Sequence, residues 1–197
     1  MVRRLLTMSM VMGLVIGLGA APSSAGSSIS IVEFEYRPAN RSVPLGGTAV
    51  WTNAGTVPHT ATQDAPLKWF DTGQLTAGAT SAPETMSAAG RFSYHCKNHP
   101  MYGLVKVPVE ASTAAIGLGE SVTIRVSSQM TFKGYTFDLQ RKRNRGPWVV
   151  IERSIGTRDV DLTPRRTGKF RFRARVVDLD GGRSGWSPAA DVLVGDV

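Results

Sequence analysis

The chain has 197 residues, a formal net charge of +8, and a single cysteine, Cys96. That length accommodates one large domain or two small β domains, each with its own core. One cysteine excludes an internal disulfide, and none near the N-terminus is available for a lipid anchor.

Residues 1–25 read as an export leader. Arg3 and Arg4 give a positive start, Leu5 to Ala21 is uncharged and mostly apolar, and Ser23-Ser24-Ala25 offers small residues to an export peptidase. A run of this length lies at the lower edge of what spans a bilayer, and Gly13, Gly17 and Gly19 weaken it as a helix. Cleavage after Ala25 is expected, giving an exported periplasmic or extracellular protein without a stable membrane span.

Residues 26–111 carry six Lys/Arg and six Asp/Glu, whereas residues 112–197 carry fifteen against nine. The shift falls at the small-residue stretch Ala111-Ser112-Thr113-Ala114-Ala115, which reads as a linker. Two independently folding domains are therefore expected, 26–111 and 112–197.

After the leader no helical period is sustained. In the first domain, Ile29 to Tyr36, Thr48 to Asn53, Arg91 to Cys96 and Leu104 to Val109 read as strands. Phe92, Tyr94 and Cys96 share one face of the third, so that face is inward and Cys96 ends the strand on the core side. Met86 is expected to face the core. The second domain offers Ser121 to Ser127, Tyr135 to Gln140, Trp148 to Ile151, Arg158 to Leu162, Phe170 to Val177 and Ala190 to Val194. Turn signals such as Asp180-Gly181-Gly182 separate them. Short strands at this spacing predict a β-sandwich of the immunoglobulin or fibronectin type III kind. Met130 is expected to be an ordinary gap-filling residue there.

The run from Tyr94 to Gly103 places a thiolate (Cys96), an imidazole (His99) and a thioether (Met101) within six residues. Soft sulfur ligands with imidazole suit a copper ion that changes oxidation state; zinc accepts Cys and His as well. A second imidazole must come from elsewhere, and His59 is the candidate.

Gly46 to Asn53, Val57-Pro58-His59-Thr60, Phe70-Asp71-Thr72-Gly73 and the Tyr94 to Gly103 run resemble, in order and spacing, the plastocyanin/amicyanin branch of the cupredoxins. The likeness spans roughly residues 28–110. It implies a Greek-key cupredoxin β-sandwich, which with the second sandwich read from strand spacing makes an all-β chain. It also implies one type 1 copper ion held by His59, Cys96 and His99. Asn53 would brace the ligand loops, and the Thr60 N–H would reach the Cys96 sulfur. The branch has two residues between the second His and its axial Met, whereas only Pro100 separates His99 from Met101. Met101 is expected as the axial ligand, with the Pro58 carbonyl, water or nothing as alternatives.

His95 adjoins Cys96 but has no further imidazole to build a second copper site, so a copper enzyme is not expected. Its place in the alternation makes it an exposed strand histidine. The expected function is single-electron transfer with an unidentified redox protein. The rivals are copper sequestration or delivery, and adhesion through the basic second domain. In that domain Arg171, Arg173 and Arg175 alternate with Phe172, Ala174 and Val176. Gly185-Trp186-Ser187-Pro188 resembles the element whose Trp stacks on an arginine ladder in fibronectin type III-like domains. The same arginines are candidates for an anionic partner in the cell envelope; nucleic acid is not expected.

Overall fold

A computed structural model describes residues 26–130 and 134–195, and the leader lies outside them. The described residues form sixteen strands: β1 Ser27–Val32, β2 Glu35–Arg37, β3 Asn40–Ser42, β4 Thr48–Asn53, β5 Thr62–Gln63, β6 Glu84–Thr85, β7 Gly90–His95 and β8 Tyr102–Val107; then β9 Glu110–Ala111, β10 Ala115–Gly117, β11 Val122–Arg125, β12 Tyr135–Arg143, β13 Val149–Ile155, β14 Asp159–Leu162, β15 Gly168–Asp178 and β16 Ala190–Gly195. No described helix is long and apolar enough to cross a membrane.

The first eight strands form two four-stranded sheets, ordered β2-β1-β4-β6 and β3-β8-β7-β5. Period-2 alternation turns Ile29, Ile31 and Trp51 inward from one, and Phe92, Tyr94, Val105 and Val107 inward from the other. Trp51 stacks on Phe70 with centroids 5.0 Å apart and meets Tyr94 edge-on at 5.5 Å. Burying each large side chain contributes about 1.5–3 kcal/mol relative to exposure. Gly103 lies opposite Tyr94 in the β7–β8 ladder, and a Cβ there would fall within the Tyr94 ring. The missing side chain is what lets that ring lie across the neighbouring strand.

The expected single strand from Ile29 to Tyr36 is instead two. Glu33, with φ 48°, turns the chain, and β2 folds back so that Tyr36 faces Ile31. The turn projects Phe34 into solvent at 60% exposure.

The remaining strands form a second sandwich. One sheet is β14-β11-β9 and the other β10-β16-β15-β12-β13. The stretch read as a linker is built into it: Ala111 pairs with Ile124, Ala115 pairs with Leu193, and residues between them cross from one sheet to the other. Trp148 and Trp186 interleave with the arginines of β15. Arg173 lies 4.1 Å from the Trp148 centroid and 5.3 Å from that of Trp186, and Arg175 lies 4.4 Å from Trp186. Each contact is worth about 0.5–1 kcal/mol, so these cations hold the fold. Met130 is 69% exposed and fills no gap, a correction to its expected role. Met86 is buried.

The two sandwiches are also joined directly. Ala89 N–H donates to Val126 O at 2.9 Å and Ser128 N–H to Ser87 O at 2.9 Å, while Arg91 and Gly185 exchange two backbone hydrogen bonds. Trp69 stacks on Phe92 and meets Tyr135 edge-on, each at 5.0 Å between centroids.

Within the second sandwich, Asp159 accepts from Arg125 Nε and Arg158 Nε, both at 2.8 Å. The Arg125 hydrogen bond, opposed by burial and aided by Arg158, holds the Asp159 carboxyl below its ordinary value of 3.8. A carboxyl depressed in the folded state stabilises it above the unfolded-state value, and this contribution disappears as pH falls through the folded-state value. Asp159→Asn should therefore lower the urea midpoint at neutral pH, with the deficit shrinking below about pH 4. A deficit that stays constant down to about pH 2 would contradict the assignment.

Candidate metal centre

Two segments build the site at one end of the first sandwich. The first follows β4, where the chain leaves the sheet at Asn53. Its buried side chain spans the loop: Nδ2 donates to Val57 O at 2.8 Å and to Leu75 O at 2.9 Å, and Oδ1 accepts from Gly55 N–H at 2.9 Å. His59 is then locked by a reciprocal backbone pair with Leu75, at 3.0 and 2.8 Å. Its ring is wholly buried. Burial, then the neighbouring His99, holds the imidazole below its ordinary pKa, which favours the neutral form that binds metals.

The second segment continues β7. Cys96 keeps the strand's inward phase and is 4% exposed. The following turn closes on itself, with Met101 N–H donating to His99 O at 2.8 Å and Cys96 N–H to Met101 O at 3.1 Å. Met101 is buried under this turn, at 3% exposure. The short spacing from His99 thus places Met101 as the inner hinge of the loop rather than on its surface.

Thr60 ties the two segments together. Its N–H donates to Cys96 Sγ at 3.3 Å, its Oγ1 accepts from Lys97 N–H at 2.9 Å, and its carbonyl accepts from the Tyr36 hydroxyl at 2.6 Å. Asn98 Nδ2 reaches across to Pro58 O at 3.1 Å.

His59 Nδ1, His99 Nδ1 and Cys96 Sγ face one another. The sulfur lies 3.7 Å from the first nitrogen and 3.8 Å from the second, and the nitrogens are 3.2 Å apart. A point in their plane lies about 2.1 Å from all three, which suits an ion bound by nitrogen and sulfur at roughly 2.0–2.3 Å. Among the described residues this is the group of His, Cys, Asp or Glu side chains arranged to hold a metal, and it contains no carboxylate.

His95 is outside that group. It is half-buried rather than exposed, with Nδ1 2.6 Å from Asp64 Oδ1. Phe34 was not among the residues expected at the site. Its ring centroid lies 5.0 Å from His99 and 6.2 Å from His59. Exposed at 60%, it puts aromatic surface beside the half-buried His99 ring.

The molecule is thus an all-β chain whose first sandwich carries a buried His–Cys–His group shaped for one metal ion. No family model matches the chain, and no match was found among curated proteins. Among solved structures it is similar to a novel purple cupredoxin from Nitrosopumilus maritimus, at 30% identity over 41% of this chain and 98% of that one, with a TM-score of 0.38. It is also similar to a reduced Cu(I) form of an amicyanin variant, at 24% identity over 42% of this chain and 82% of that one, TM-score 0.39. An oxidised amicyanin variant matches at 24% identity over 42% and 81%, TM-score 0.39.

Proposed function

We propose that this chain is an exported single-electron carrier of the cupredoxin type. One copper ion would be held by His59 Nδ1, Cys96 Sγ and His99 Nδ1, with Met101 as the axial donor. The observation that carries the reading is the nearly equal-sided triangle of these three atoms, with the buried Cys96 sulfur at one corner. Bound copper supplies one-electron Cu(I)/Cu(II) chemistry.

The chain's contribution is to keep that triangle unchanged. His59 is pinned through Leu75, Cys96 through Met101 O and Thr60 N–H, and the loops through Asn53. Ligands held in this way need little rearrangement when charge changes. The Thr60 N–H also draws density from the sulfur, a contact that tunes such sites. Zinc in structural sites completes a tetrahedron with a fourth strong ligand, and among the described residues no fourth His, Cys, Asp or Glu joins this group. Burial excludes water from His59 and Cys96, while the His99 edge, flanked by Phe34, is the natural contact for a redox partner. The second sandwich would be a fibronectin type III-like module, a reading supported by its strand order and its Trp–Arg ladder.

The deciding experiment is an absorption and EPR spectrum of the copper-loaded mature protein. Intense visible absorption with narrow copper hyperfine splitting is expected; a pale protein with wide splitting would overturn the carrier in favour of simple copper binding.

Met101 has its own test. An axial thioether stabilises Cu(II) more than an apolar side chain does, so Met101→Leu should raise the reduction potential. The rise should be about 59 mV for each tenfold change in relative affinity. A potential that stays within measurement error would remove Met101 from the copper shell.

A further inference from the structure

Two sets of arginines in the second sandwich contrast. Those of β15 are committed: Arg171 and Arg173 lie against Trp148, Arg173 also donates to Gln140, and Arg175 lies against Trp186 and donates to Asp138 at 2.7 Å. Arg141, Arg143, Arg165 and Arg166 differ. Among the described residues none of them pairs with a carboxylate. All four are exposed, and they line one cleft of about 630 Å³ completed by Thr163 and Phe170.

The cleft is built rather than incidental. Arg141 and Arg143 continue the inward phase of Phe137 and Leu139 on β12, beyond the end of the core. Phe170 forms the floor, with the Arg141 guanidinium 5.7 Å above its ring. The chain from β14 to β15 brings Arg165 and Arg166 across from the other sheet. The walls are cross-braced, since Asn144 N–H donates to Lys169 O at 2.7 Å and Lys169 N–H to Asn144 Oδ1 at 2.8 Å. No Asp or Glu lines the cleft.

We infer that this cleft binds a polyvalent phosphoryl ligand, one carrying at least two linked phosphate groups. Guanidinium forks match phosphate oxygens in bidentate geometry. Four of them converging without a carboxylate leave a local charge that one monovalent anion does not neutralise. The volume lies within the usual range of small-ligand sites. A nucleobase or sugar ring finds no open aromatic face here, because Phe170 is buried and Trp148 is covered by arginines. The inference is independent of the metal centre.

Titration calorimetry of the full chain with pyrophosphate, orthophosphate and acetate tests it. Pyrophosphate should bind one to one and at least about tenfold more tightly than orthophosphate, with acetate weaker still. Arg141→Gln and Arg165→Gln should each weaken pyrophosphate about fivefold or more, whereas Arg37→Gln, in the first sandwich, should leave it unchanged. Uniform weakening by all three variants would mean a diffuse positive field and overturn the site. So would unchanged binding in the Arg141 and Arg165 variants. Attachment to anionic phospholipid vesicles that pyrophosphate fails to displace would mark a membrane-facing surface and likewise overturn it.

Discussion

Replacing Cys96 with serine is expected to abolish the intense visible absorption of the copper-loaded protein while leaving the fold intact. Cys96 is the one sulfur in the His–Cys–His triangle, so a charge-transfer band that needs a thiolate has no other source there. A serine hydroxyl is smaller, does not ionise near neutrality, and still accepts the Thr60 N–H that the sulfur accepts now. The exchange should cost about 1 kcal/mol and lower the melting temperature of the metal-free protein by about 2–4 °C. A Cys96→Ser protein that remains as intensely coloured as the parent would refute the ligand assignment.

The second large effect is expected at Asn53. Its amide satisfies three backbone groups that hold the His59 loop, from Val57, Leu75 and Gly55, and the side chain is wholly buried. Asn53→Ala leaves two carbonyls and one N–H without that partner, at about 1–3 kcal/mol for each one that water does not reach. Val57 is only half-buried and recovers part of its loss. A total near 3–4 kcal/mol, or about 10 °C in melting temperature, follows for a chain of this size. Leu75 is also the backbone partner of His59, so the damage should reach the site as weaker copper retention. A melting temperature within about 1 °C of the parent would show that the loop is held by other means.

The Cys96–His99 half of the candidate metal centre was legible because it is local, whereas His59 comes from 37 residues away and was reached as the remaining histidine in a matching motif. Alternation along Arg91 to Cys96 already placed the thiol inward, and the tight loop to Met101 kept His99 close. The hairpin at Glu33 was missed, although a clue was available. Ile29 and Ile31 are odd-numbered whereas Tyr36 is even-numbered, and one unbroken strand cannot turn all three toward the same core. Without that turn Phe34 has no reason to reach His99. The arginines posed a different difficulty. Their alternation was visible on β15, but which cations the tryptophans occupy depends on Trp148, which lies just before β13 and is brought in from another part of the chain. The expected linker failed as a spacer because small residues suit a sheet crossing as well as a loose connection. The contacts of Trp69 with Phe92 and Tyr135 left no pattern in sequence.

The exchange between Arg91 and Gly185 also gives the molecule a front and a back. Arg91 is the second residue of the strand that delivers Cys96, and five residues of extended chain separate them by about 17 Å. The second sandwich therefore grips the strand at its far end. Under the proposed reading, a partner approaching Phe34 and the His99 edge would meet them without displacing this grip. Under that reading, an anionic ligand held in the second sandwich and a redox partner at the His99 edge would be separate tasks that need not exclude one another.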